Sequence, residues 1–182
     1  YDEYWPSRSS YFGICDLAGL PKDRYYLYRS QWNTKEHTLH LLPHWNWNEG
    51  DKIPVMVYTD CPEAELFLNG RSLGRQKKQP YAVPHGTAEQ TKPLMETKAL
   101  LRRYRLIWDD VKYESGELRV VAYDAEGRPV MEKTMCTAGT PSVLKLEPDR
   151  ATIKSGGDKP PSITLSMRDS RGTLCPNASD KV

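Results

Sequence analysis

Ala64-Glu65-Leu66-Phe67-Leu68-Asn69-Gly70-Arg71 reads as one arm and the turn of a β-hairpin. Ala64, Leu66 and Leu68 recur every second residue, which turns all three to one face of an extended strand. Asn69-Gly70 follows at once, and both residues accept the positive φ that a two-residue hairpin turn requires. Upstream, Ile53, Val55 and Val57 alternate with Pro54, Met56 and Tyr58, giving a second strand with one strongly apolar face. Downstream, Tyr104 to Trp108, Leu118 to Tyr123 and Val130 to Met135 add further strands, and Asp124-Ala125-Glu126-Gly127 supplies another hairpin turn. About seven short strands in about 100 residues predict an immunoglobulin-like β-sandwich, here over residues 37–138.

The flanks differ from this pattern. Between Lys77 and Arg102 the alternation breaks around Pro80, Pro84, Gly86 and Pro93, which predicts a long loop. From residue 139 the alternation returns. Val143, Lys145 and Glu147 interleave with Leu144 and Leu146, and Ile163, Leu165 and Met167 share a face of a second strand. About 40 residues are too few to complete a sandwich, so residues 139–182 are expected to be the start of a second immunoglobulin-like module.

Residues 1–36 form the third segment, dense in aromatics. Asp23 suits the first turn of a helix, where it complements the dipole. Tyr25, Tyr28 and Trp32 recur at spacings of three and four, so a helix over about 21–31 would place them on one face. One helix cannot bury that stripe alone. The sandwich has to cover it, or it stays exposed as a sticky surface. The segment reads as the end of a domain rather than the start of one.

Composition narrows the partners. The chain has 182 residues with 26 basic and 24 acidic side chains, for a formal net charge of +2. That balance gives no reason to expect a nucleic-acid partner. No apolar run approaches the roughly 20 residues of a membrane-spanning helix. Cys15, Cys61, Cys136 and Cys175 are scattered without a C-x-x-C pair, so neither a metal site nor a cofactor is expected. A Cys61–Cys136 bridge requires neighbouring strands, and reduced, partly buried thiols are the expected state.

Longer motifs carry a resemblance. They are the Trp5-Pro6-Ser7-x-x-Ser10-x-Phe12-Gly13-Ile14 stretch, then Asp16-x-Ala18-Gly19-x-Pro21-Lys22-Asp23-x-Tyr25-Tyr26. His40-Leu41-Leu42-Pro43-His44-Trp45-Asn46-Trp47 and Glu65 to Gly74 follow in the same order. Together they resemble the end of the catalytic barrel and the following domain of glycoside hydrolase family 2, the β-galactosidase family. The resemblance implies a mainly β chain: a short strand/loop/helix remnant of a (β/α)8 barrel, an immunoglobulin-like sandwich, and the beginning of another. It also implies a parent enzyme that hydrolyses terminal β-linked sugars with retention, using two glutamates on barrel strands that precede the matched region. No residue of this chain aligns with either glutamate. The chain alone is therefore expected to be inactive and to act as a structural part, with the upstream catalytic barrel as its partner and a carbohydrate as the parent's substrate.

Two sets of side chains are candidates for sugar contact. Trp5, Arg8, Ser9 and Tyr11 fall on a loop that, in a barrel enzyme, lies at the active-site face. There Trp5 would stack on a sugar ring while Arg8 and Ser9 bond hydroxyls, with packing against neighbouring loops as the plainer role. Trp45 and Trp47 lie two apart and would share a strand face, which makes a stacking platform if exposed and core if not. On that second reading the chain is a carbohydrate-binding module. His40 and His44 also share a strand face, without an evident third ligand. Asp16 is expected to form a turn, and Asp109-Asp110 to point to opposite faces of a strand or to sit at a turn.

Overall fold

The computed structural model describes residues 12–79, 99–152 and 162–179. The chain is mainly β. Helix α1 (Asp23–Trp32) leads into β1 (Leu39–Leu42), β2 (Lys52–Thr59), β3 (Glu63–Leu68) and β4 (Arg71–Lys77). A short helix, α2 (Ala99–Tyr104), precedes β5 (Leu106–Lys112), β6 (Glu117–Tyr123) and β7 (Pro129–Cys136), and β8 (Val143–Pro148) and β9 (Ile163–Arg168) close the order. Tyr104 thus ends a helix rather than opening a strand. Residues 99–102, expected in the loop, belong to this helix as well, and residues 80–98 lie outside the described residues.

Strands β1 to β7 form two sheets, ordered β1-β2-β5 and β4-β3-β6-β7, with every pairing antiparallel. This three-on-four arrangement is the sandwich that the alternation predicts. Ile53, Val55 and Val57 face Ala64, Leu66, Leu68, Leu118 and Val120 across a core completed by Leu41, Trp45, Leu106 and Trp108. The register of β2 on β5 shifts between Ile53 and Val55, at Pro54, which has no N–H to give the ladder.

The hairpin turn takes the predicted form, with φ of 50° at Asn69 and 80° at Gly70. Asn69 also does something its turn role does not require. Its Oδ1 accepts the Glu117 N–H at 2.8 Å and its Nδ2 donates to the Ser115 carbonyl at 3.1 Å, tying the β3–β4 turn to the loop before β6. Gly116 makes room for this bond. A Cβ there would lie 2.0 Å from Asn69 Oδ1, and its φ is 135°.

Strands β8 and β9 form a separate two-stranded sheet. Its register pairs Leu144 with Met167, Leu146 with Leu165 and Pro148 with Ile163. The apolar residues therefore do collect on one face, but nothing covers it among the described residues. Leu146 is 55% exposed and Leu165 62%.

Candidate functional site

Helix α1 begins two residues later than expected. Cys15 and Pro21 form a bridge and the Lys22 N–H donates to the Ile14 carbonyl, so Pro21 closes a turn instead of opening the helix. Asp16 is the expected turn-former, its Oδ1 accepting the Ala18 and Leu20 N–H groups at 2.9 and 2.8 Å. Trp5, Arg8, Ser9 and Tyr11 lie outside the described residues.

The helix has two aromatic faces, of which the sandwich takes one. Tyr26 stacks on His40 of β1, with ring centroids 4.0 Å apart and planes 8° from parallel. His40 Nε2 lies 2.7 Å from Asp23 Oδ1, and Tyr58 of β2 stacks behind His40 at 6.1 Å. The last three residues of β2, Val57 to Thr59, are consequently buried on both faces. Tyr58, which the alternation assigns to the outer face of the sandwich, is covered by the helix. The pairing of His40 with Asp23 and Tyr26 also accounts for this histidine without any ligand.

Tyr25, Tyr28 and Trp32 form the other face. Tyr28 and Trp32 lie ring on ring at 4.8 Å and 7°. With Ile14, Tyr25, Arg29 and Asn33 they line an open groove of about 310 Å³. Trp32 is 73% exposed, and Phe12 and Leu17 beside this segment are exposed as well. The stripe read from the sequence is therefore present but is not the face that meets the sandwich.

The Trp45–Trp47 platform is not formed. Trp45 is 1% exposed, tilted against Tyr113 with its indole N–H on the Glu114 carbonyl at 3.2 Å. Trp47 is partly exposed and stacks on His44, its N–H donated to the His44 carbonyl at 2.8 Å. Residues 43–51 lie between β1 and β2, outside either strand, so the two-residue spacing does not give a shared face.

A polar clamp joins the sandwich to the β8–β9 hairpin. Asp169 is almost fully buried, and its carboxylate accepts N–H groups from Gly139 at 2.9 Å, Arg171 at 2.9 Å and Thr173 at 2.8 Å. The Gly139 bond leads, against the opposing effect of burial; together with the Thr173 and Arg171 donors it lowers the carboxyl from 3.8 to about 2. Arg171 also donates to the Thr137 carbonyl at 3.0 Å. On the sandwich side, Asn46 exchanges two hydrogen bonds of 2.9 Å with Ala138, and Asn177 donates to the Asn46 carbonyl at 3.1 Å. Asn177 opens an Asn-x-Ser sequence with Ala178 and Ser179, and its side-chain amide is engaged in this clamp.

The four cysteines are free thiols. Cys61 follows β2 in one sheet and Cys136 ends β7 at the edge of the other, so the neighbouring strands that a bridge requires are absent.

A seven-stranded antiparallel sandwich with a helix packed on β1 and β2 and a two-stranded sheet clamped through Asp169 and Asn46 defines a mainly β class of module. Comparison with known proteins narrows that class. Residues 50–131 match the family model described as "Domain of unknown function (DUF4982)". A beta-galactosidase of Bacteroides ovatus is 41% identical over 179 residues, which is 98% of this chain but 18% of that protein's length. A putative beta-glucuronidase of Formosa agariphila is 34% identical over 93% of the chain and 15% of its own length. Among solved structures, a beta-glycosidase from Bacteroides vulgatus superposes with a TM-score of 0.74 at 34% identity, covering 96% of this chain and 20% of that one. A glycosyl hydrolase family 2 member from Bacteroides cellulosilyticus gives 0.67 at 30% identity, covering 89% and 22%. The chain belongs to glycoside hydrolase family 2, and it spans less than a quarter of the length of these relatives.

Proposed function

We propose that this chain is the structural, non-catalytic part of a retaining glycoside hydrolase of the β-galactosidase kind, acting on terminal β-linked sugars. The observation that carries the reading is the divided helix. One face of α1 is sealed against the sandwich through Tyr26 and His40. The opposite face, Tyr25, Tyr28 and Trp32, presents an apolar groove to solvent. An aromatic surface of that kind is an interface, and the catalytic barrel is its proposed occupant. Residues 1–36 then belong to the barrel's edge, 37–138 form the supporting sandwich, and 139–182 begin a further module.

In this reading the chemistry lies in the barrel. A retaining glycosidase needs two carboxyl groups about 5–5.5 Å apart, one acting as acid and base and the other as nucleophile. The chain's contribution is to hold the barrel's last helix in place. Trp5, Arg8, Ser9 and Tyr11, which precede that helix, would touch sugar at the rim of the active site. Galactoside is the proposed substrate, and the glucuronidase relatives make a uronic acid the competing sugar to assay beside it. The carbohydrate-binding-module reading is set aside, because Trp45 is core.

The test is a charge placed in the groove. Trp32→Asp in the longer enzyme is expected to lower both its melting temperature and its turnover of a chromogenic β-galactoside. The same substitution in this chain alone should leave the sandwich melt unchanged, since Trp32 is exposed here. Unaltered melting and turnover in the longer enzyme would refute the interface.

A further inference from the structure

The ladder of β1 on β2 pairs Leu39 with Thr59 in antiparallel register. Continuing that register past the strand ends sets Thr38 opposite Asp60 and His37 opposite Cys61. The side chains follow. His37 Nδ1 lies 2.6 Å from Asp60 Oδ2, and the Thr38 N–H donates to Asp60 Oδ1 at 2.6 Å. The His37 nitrogen, the Asp60 oxygen and Cys61 Sγ all lie within 4.8 Å of one another. His37 is exposed, Asp60 half-buried and Cys61 buried, so the three line a gradient from solvent inwards. Residues 33–37 and Asp60 enclose a small cavity of about 130 Å³ on the outer side. Beneath it, Thr38 Oγ1 is buried without a hydrogen-bond partner among the described residues.

We propose that His37, Asp60 and Cys61 bind a divalent ion of the zinc class. The donor set decides the ion. A thiolate with an imidazole selects a borderline-soft metal over magnesium or calcium, which prefer oxygen cages. Zinc takes nitrogen, oxygen and sulfur at about 2.0–2.3 Å in a tetrahedron, which sets ligands about 3.3–3.7 Å apart, so the His37–Asp60 pair has to open from 2.6 Å and any pair near the 4.8 Å limit has to close by about 1 Å. His37 can supply that movement, because its exposed ring is held by Asp60 alone among the described residues. The exchange balances simply. The metal takes the place of the proton shared by His37 and Asp60, Cys61 releases its thiol proton to solvent, and a water from the cavity fills the fourth position. Lys78 opposes the ion. Its ammonium donates to the Thr59 carbonyl and interacts with the charges of Asp60 and Cys61. Burial alone would raise the Asp60 carboxyl, but the Thr38 N–H and His37 hold it below its ordinary value, whereas burial pushes the Cys61 thiol up, so the ion itself has to draw the thiol proton off. The bound ion would staple the segment leaving α1 to the end of β2, fixing the helix on the sandwich. This site is independent of the function proposed above.

Cobalt(II) titration of the whole chain under reducing conditions tests the proposal. One equivalent is expected to raise a thiolate-to-cobalt charge-transfer band in the near ultraviolet, which zinc then abolishes. Cys61→Ser should remove the band, and Cys136→Ser, at an exposed thiol away from the cluster, should keep it. Should Cys61→Ser fail to fold, His37→Gln decides instead. Its exposed side chain leaves folding intact, and it should weaken cobalt binding at least about tenfold, as loss of a ligand or its support does elsewhere. Zinc should raise the melting temperature of the parent chain and not of His37→Gln. No charge-transfer band with cobalt in excess, or a band that survives both Cys61→Ser and His37→Gln, overturns the site.

Discussion

Strands β3 and β8 carry the same kind of pattern, with opposite outcomes. In β3 the alternate residues Ala64, Leu66 and Leu68 are buried to 1% exposure or less, against β2, β5 and β6. In β8 all six residues are exposed, although Leu144 and Leu146 alternate as cleanly and their partners on β9 match them in register. Alternation states which face of a strand needs cover. It does not state whether the same chain supplies the cover. The sandwich closes its own core, whereas the hairpin presents an apolar sheet tied to the sandwich at its base by Asp169, Arg171 and Asn177. Helix α1 repeats the lesson within ten residues, one aromatic face filled by His40 and the other left open.

The largest effect should separate the two sheets directly. Leu66→Ala removes a fully buried side chain, and in urea it is expected to lower stability by about 2–5 kcal/mol. Leu146→Ala, on the uncovered sheet, should change it by less than about 0.5 kcal/mol. Equal losses would mean that the hairpin has a covered core after all. Next in size is Gly116→Ala, which forces a left-handed φ on alanine and drives its Cβ into Asn69. A cost of about 1–3 kcal/mol is expected in the same unfolding experiment. Asn69→Ala combined with Gly116→Ala would recover part of it by clearing the clash.

The clamp sharpens the comparison further. Asp169→Ala should release the hairpin while leaving the sandwich intact. Amide exchange should therefore speed up at Gly139, Arg171 and Thr173 but not at the β3–β6 ladder. Acid should act in the same place. Because the folded carboxyl is lowered from 3.8 to about 2, its contribution is complete above pH 3.8 and disappears as pH falls through about 2. Hairpin protection lost near pH 2 in the parent chain, and already absent at neutral pH in the variant, is the expected pair of results. A small effect is expected at the helix contact, read in the same unfolding experiment. Asp23→Asn leaves the Tyr26–His40 stack in place and weakens the partly exposed hydrogen bond between Asp23 and His40, for a loss under about 1 kcal/mol.

The sandwich was legible in the sequence because alternating burial and an Asn-Gly turn both act locally. What the sandwich pattern does not show is that helix α1 covers the outer face at the end of β2, so that Val57 to Thr59 are all buried. Three features were not legible for physical reasons. Tyr25, Tyr28 and Trp32 give the helical face correctly, but Tyr26, outside that stripe, meets the sandwich through His40, a contact 14 positions away in sequence. Trp45 and Trp47 match a strand spacing, yet they stand between strands, where period two has no force. His37, Asp60 and Cys61 match no local metal motif. Only the antiparallel register of β1 on β2 brings them together, and a sequence shows that register after the pairing is known.

The most direct measurement is hydrolysis of chromogenic β-galactoside and β-glucuronide by this chain alone. A supporting part without the paired glutamates should give no turnover above buffer with either sugar. Sustained turnover by the purified chain, lost when one of its own carboxylates is replaced, would contradict the account.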